Sequence, residues 1–126
     1  MTAQFRDQHS ELMHLAENIL NAARLRQGDD LGRLRLAFAR AVRAHVADEA
    51  LEIAKAIQGG HLDAELVGRH NRLIMNWRGE IALCNSEWTN RRVVDAPEGF
   101  IRCFLPLVEA LQKALLYEEQ SLLAII

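Results

Sequence analysis

The chain has 126 residues, half of them apolar and a quarter charged, with a net charge of −2. That length fits one domain that buries a core without disulfides or a structural metal. The near-neutral charge gives no electrostatic case for nucleic acid or an anionic membrane as partner. Two prolines and few β-branched runs among abundant Ala and Leu weigh against sheet and toward helix.

Turn signals divide the chain into four helices, which predicts an all-α, up-down-up-down four-helix bundle forming a single domain over residues 1–126. The first helix, near 4–27, carries Phe5, His9, Leu12, Ala16, Ile19 and Ala23 at helical spacing. Gln27-Gly28-Asp29-Asp30 ends it and offers an Asp N-cap to the next. The second, near 30–58, turns Leu34, Phe38, Ala41, His45, Glu49, Ile53 and Ala56 to one side. After Gly59-Gly60-His61-Leu62-Asp63 comes the third, near 63–91, with Leu66, His70, Leu73, Trp77, Ile81, Cys84 and Trp88. Asp95-Ala96-Pro97-Glu98 has capping-box spacing and opens the fourth, near 96–125. Its stripe is Phe104, Leu107, Leu111, Ala114, Glu118, Leu122 and Ile125, and Gly79 and Pro106 are expected to weaken or bend their helices.

Five ionisable residues, His9, His45, Glu49, His70 and Glu118, stand on these stripes where Leu or Ala is usual. Burying a polar group unpaired is costly, so each needs a partner. At about 1.5 Å rise per residue, His9, His70 and Glu118 come roughly 7–10 Å from one end of the bundle, and Glu49 and His45 roughly 14–20 Å. Helix boundaries read from sequence carry a latitude of a few residues, within which all five can share a layer one to two turns thick. Imidazoles and carboxylates converging from four helices suit iron, manganese or zinc, and His45 and Glu49, four apart on one helix, point the same way. The alternative is that each His pairs with a Glu across the bundle as a buried ion pair.

Four short segments carry a family resemblance. They are Phe5-Arg6-Asp7-Gln8-His9-Ser10-Glu11-Leu12, His45-Val46-Ala47-Asp48-Glu49, Arg69-His70-Asn71-Arg72-Leu73, and Ala114-Leu115-Leu116-Tyr117-Glu118-Glu119. Together they resemble the helical motifs of the hemerythrin-like family, four-helix bundles described by a His-His-Glu cation-binding pattern. The resemblance implies non-haem iron, mono- or dinuclear, or another divalent metal at His9, His45, Glu49, His70 and Glu118. It also implies a role in oxygen, nitric oxide or iron sensing or binding. Two departures stand out: Ala114 occupies the family's fourth-helix His position, and Leu66 and Ile74 stand where members place a second helix-three His. The remaining set could hold one metal, or two with water filling the gaps. It could also be a relic inside a metal-free interaction or regulatory module.

No nucleophile-base-orienter arrangement or phosphate-binding glycine loop is present, so no catalytic residue is assigned. A phosphotransfer bundle would need a Lys-Gly type sequence after its His, whereas His45 is followed by Val-Ala-Asp-Glu and His70 by Asn-Arg-Leu-Ile. His14 is expected on the surface and His61 in a solvated turn. Trp77 and Trp88 read as core, Tyr117 as a packing neighbour of Glu118, and Glu109 and Glu119 as surface carboxylates. Cys84 and Cys103 lack CxxC spacing and read as free thiols. Met1 to Arg6 lacks the apolar core of a secretory signal and no apolar run reaches membrane-spanning length, so the cytoplasm is the expected location. The apolar segment Leu122-Leu123-Ala124-Ile125-Ile126 implies a covered surface, and a homodimer is among the expected partners.

Overall fold

The computed structural model describes residues 1–124 and 126. Among them, all regular structure is helical: α1 (Ala3–Arg24), α2 (Gly28–Gln58), α3 (Ala64–Glu87), the short α4 (Asn90–Asp95), α5 (Pro97–Tyr117) and a π-helical turn, Glu118–Leu122. None of these helices is long and apolar enough to cross a membrane.

Local chemistry sets the boundaries, in places differently from the sequence expectation. The Thr2 hydroxyl accepts from the Phe5 N–H at 3.3 Å and starts α1. The first turn forms with Arg26 at φ 56 and with Gln27 N–H on the Ala22 carbonyl at 2.9 Å. The chain re-enters helix at Gly28, so the expected Asp N-cap is not made. Asp29 and Asp30 instead lie in the first turn of α2, against the positive end of its dipole. Gly60, at φ 76, closes the second turn, and the Asp63 carboxylate caps α3 through the Glu65 N–H at 2.9 Å.

The third connection departs most. Helix three stops at Glu87 because Thr89 captures the Arg92 N–H at 3.2 Å and nucleates α4. Asp95 ends α4 and caps nothing, while Pro97 supplies the first turn of α5. Trp88 lies on Gly99, where an added Cβ would fall 2.2 Å from the indole, and Arg92 sits 4.0 Å over the ring. Helices α3 and α5 run unbroken through the exposed Gly79 and Pro106, so neither residue interrupts its helix.

Neighbouring long helices run antiparallel, as cross-links at matching depths show. Arg35 near the start of α2 donates to Asn85 in the last turn of α3 and to Asn90 just beyond that helix, and Trp77 of α3 donates to the Leu107 carbonyl of α5 at 2.8 Å. Two apolar blocks fill the interior. The larger includes Leu12, Ile19, Phe38, Trp77, Phe104 and Leu111, and the smaller consists of Phe5, Ile53, Val67, Leu122 and Leu123. The apolar C-terminal segment is thus covered, at Leu122 and Leu123, by the chain's own helices; Ile125 lies outside the described residues. The α1 stripe is buried throughout and α2 contributes Phe38, His45, Glu49 and Ile53 as expected. On α3, His70, Trp77 and Cys84 are buried as expected, but Val67 takes the inward place expected of Leu66, and Leu66 and Leu73 are 45% and 54% exposed. Helices α2 and α3 stand apart, leaving a crevice of about 200 Å³ between them.

Candidate metal centre

Between the two apolar blocks lies a polar layer made of the five stripe residues. His9, His45, Glu49, His70 and Glu118 are each at most 7% exposed. The carboxylate of Glu118 is the hub. Its Oε1 lies 3.2 Å from His9 Nε2 and 2.9 Å from His45 Nε2, and its Oε2 lies 2.9 Å from His70 Nε2. Glu49 adds Oε2 at 2.7 Å from His45 Nε2 and Oε1 at 3.9 Å from His70 Nε2. Helices α1, α2, α3 and the end of α5 thus each aim at one point. The difference in depth between His9 and His45 along their helices disappears because α2 overshoots the start of α1, as the Gln8–Asp48 contact shows.

The outer ring nitrogens are also held. Gln8 Nε2 donates to Asp48 Oδ2 at 2.8 Å, which turns Gln8 Oε1 toward His45 Nδ1 at 2.7 Å. An amide oxygen only accepts, so His45 carries its Nδ1 proton there. Glu119 Oε1 lies 2.9 Å from His9 Nδ1 and fixes the same tautomer by the same logic. Both Nε2 atoms then face carboxylates at hydrogen-bond distance, where either a second proton or a cation must sit between them.

Sequence reading missed Gln8 and Asp48, and it placed Glu119 on the surface. The π turn explains Glu119. With the Leu123 N–H on the Glu118 carbonyl at 2.7 Å, the widened turn lets adjacent Glu118 and Glu119 grip opposite nitrogens of one imidazole. A Glu-Glu pair at the end of an apolar stripe was the only signal, and a regular helix would have splayed the two side chains apart. Gln8 immediately before a stripe His was the corresponding signal on α1.

Electrostatics follow from this packing. Burial lowers His45, but the Glu118 and Glu49 carboxylates outweigh it and raise the ring to about 9. His9 is likewise raised, by Glu118 and Glu119 against its burial. Burial pushes Glu49 up to about 7, with the neighbouring Glu118 charge adding to it and His45 opposing. Burial would raise Glu118 too, yet the donors from His45, His70, His9 and Glu49 hold it well below the usual carboxylate range.

One donor atom from each of His9, His45, Glu49 and Glu118 falls within 4.8 Å of the others. That is close to the span of one coordination sphere built from bonds of about 2.0–2.2 Å. His70 completes the layer on the far oxygen of Glu118, with Tyr117 tilted against its ring at 5.4 Å. The α2–α3 crevice, with apolar walls including Val46, Ile53 and Ile74, reaches His45, Glu49, His70 and Glu118. The remaining residues keep to their expected places: His14 and His61 are exposed, Trp77 is buried, Trp88 is half-buried, and Glu109 is on the surface. Cys84 and Cys103 are free, and burial, with Cys103 alongside, pushes the Cys84 thiol up to about 12. Comparison of the chain with protein-family models, with curated proteins and with solved structures finds no match.

Proposed function

We propose that the chain is a hemerythrin-like four-helix bundle that holds a divalent transition metal, non-haem iron foremost, in its His/Glu layer. It would serve oxygen, nitric oxide or iron sensing or binding in the cytoplasm. His9, His45, Glu49 and Glu118 would hold the metal, with His70 steadying Glu118 from its other oxygen. Such an ion supplies Lewis acidity and, as iron, one-electron chemistry. The chain's own part is to orient the donors, exclude bulk water and keep the Nε2 lone pairs inward. One observation carries the reading above the rest: Gln8 and Glu119 hold the outer nitrogens of His45 and His9, the arrangement by which proteins set a metal-ligating imidazole. With Ala114 and Leu66 contributing no donor, a mononuclear site fits the residues present.

A second reading has its own support. Every buried side-chain polar atom among the described residues finds a partner within the protein, so the layer is also satisfied as a proton-filled ion-pair network. Such a relic would leave a metal-free interaction or regulatory module. Thermal melts of wild type and His45→Leu, each with and without Fe(II) or Zn(II), separate the two. Under the metal reading, added metal stabilises wild type by about 2.7 kcal/mol at a hundred-fold excess over Kd, and His45→Leu abolishes the rise. Identical wild-type melts with and without metal would reject it. A His45→Leu protein as stable as wild type would then favour the relic, because a well-packed apolar side chain often replaces a buried ion pair at no loss.

A further inference from the structure

The polar layer leaves one feature of α3 unused. Leu66, Arg69, Leu73, Asn76, Glu80 and Leu83 form a stripe at alternating spacings of three and four, and all six are exposed. This is the spacing along which helices pair at shallow crossing angles. Leu66, Leu73 and Leu83 are 45%, 54% and 63% exposed, a large apolar load for a solvated helix face. The stripe flanks a groove to which α5 contributes Ala110, Lys113, Ala114 and Tyr117.

The stripe is also complementary to itself when reversed. Laid antiparallel on a copy, Leu66 meets Leu83, Arg69 meets Glu80, and Leu73 meets Asn76, with a twofold axis midway between Leu73 and Asn76. Each pairing then recurs by symmetry, and no like charges oppose along the seam. A parallel arrangement would instead set Arg69 on Arg69 and Glu80 on Glu80. We propose that this face is a homodimer interface in which α3 packs antiparallel against α3 of a second copy. Self-complementarity under a twofold axis is the requirement an isologous interface imposes and an unrelated partner does not. Within its own chain Arg69 contacts Glu65 at 3.0 Å, but that pair is solvent-exposed and too weak to withhold Arg69 from Glu80 of the second copy. The proposal is independent of whether the polar layer holds metal.

Charge reversal tests it on the intact chain. At about 100 μM, where a micromolar dimer is formed, sedimentation should give wild type twice the 14.3 kDa chain mass. Arg69→Glu and Glu80→Arg, each opposing like charges twice, should separately weaken the dimer about ten-fold or more. An equimolar mixture of the two variants, or the Arg69→Glu/Glu80→Arg double variant, should restore it, because the opposed charges are then complementary again. A wild-type monomer at this concentration would overturn the proposal and leave the groove to another protein. Equally fatal are a dimer indifferent to both single reversals, and single-variant losses that neither mixing nor the double variant rescues.

Discussion

The outer nitrogens of two histidines govern what their inner nitrogens can do. Gln8 and Glu119 act only at the outer nitrogens, and by accepting the Nδ1 protons they leave His45 and His9 facing Glu118 through Nε2. Gln8→Leu and Glu119→Ala are therefore expected to weaken metal binding about 10–100-fold while the fold survives, read by competition with a chromogenic chelator. Unchanged affinity in both variants would separate the outer contacts from the site's purpose. The raised rings also fix a pH signature for the metal-free protein. His45 goes from an ordinary 6.5 to about 9 in the folded state, so the native form binds more protons across that window. By linkage its stabilisation is full below about 6.5 and is lost as pH rises through about 9. Glu49, raised from 4.5 to about 7, acts in the same direction over its own window. Metal has the opposite sign, because a ligand imidazole must give up its Nε2 proton. Melting temperatures of the metal-free form should thus fall from pH 6 to 9 while the increment from metal grows; parallel curves would contradict the coupling.

At the scale of the elements, α1 and α2 were legible in the sequence, whereas the inward face of α3 at Leu66 and Leu73 and the π turn after α5 were not. The α1 stripe is buried along its whole length, so its apolar residues leave one consistent reading. On α3, Leu66 and Leu73 share the helical period with Val67, His70 and Trp77. Periodicity alone does not say which of two adjacent apolar stripes faces inward, since an exposed apolar seam looks the same in sequence. The five hub residues were visible as polar interruptions of apolar stripes. Their outer partners were not, because the Gln8–Asp48 contact joins residues forty positions apart and Glu119 reaches His9 only through the π turn. That turn also buries consecutive Leu122 and Leu123 beneath the polar layer, against Phe5 and Ile53. Leu123→Ala should cost about 2–5 kcal/mol in urea unfolding and should loosen metal retention with it. A loss under about 0.5 kcal/mol, the scale of an ordinary surface substitution, would mean that the smaller apolar block does not seal the layer.

Across the whole molecule, the layer's position between two apolar blocks sets its chemistry. The larger block keeps the four long helices in register, the smaller closes the layer from the chain ends, and the gap between α2 and α3 leaves a side approach to Glu49 and His70. Low dielectric on both sides is what drives Glu49 up while the converging donors hold Glu118 down. The same enclosure makes an unpartnered lone pair costly, so the layer must be filled either by protons or by a cation. The two fillings are distinguished most directly by metal content. Protein purified without a histidine tag and reconstituted with Fe(II) under anaerobic conditions should retain close to one equivalent after desalting, and a His45→Ala variant should retain almost none. Less than about a tenth of an equivalent in wild type, a level at which nearly every site is empty, would contradict the metal centre and leave the layer as a network of protons.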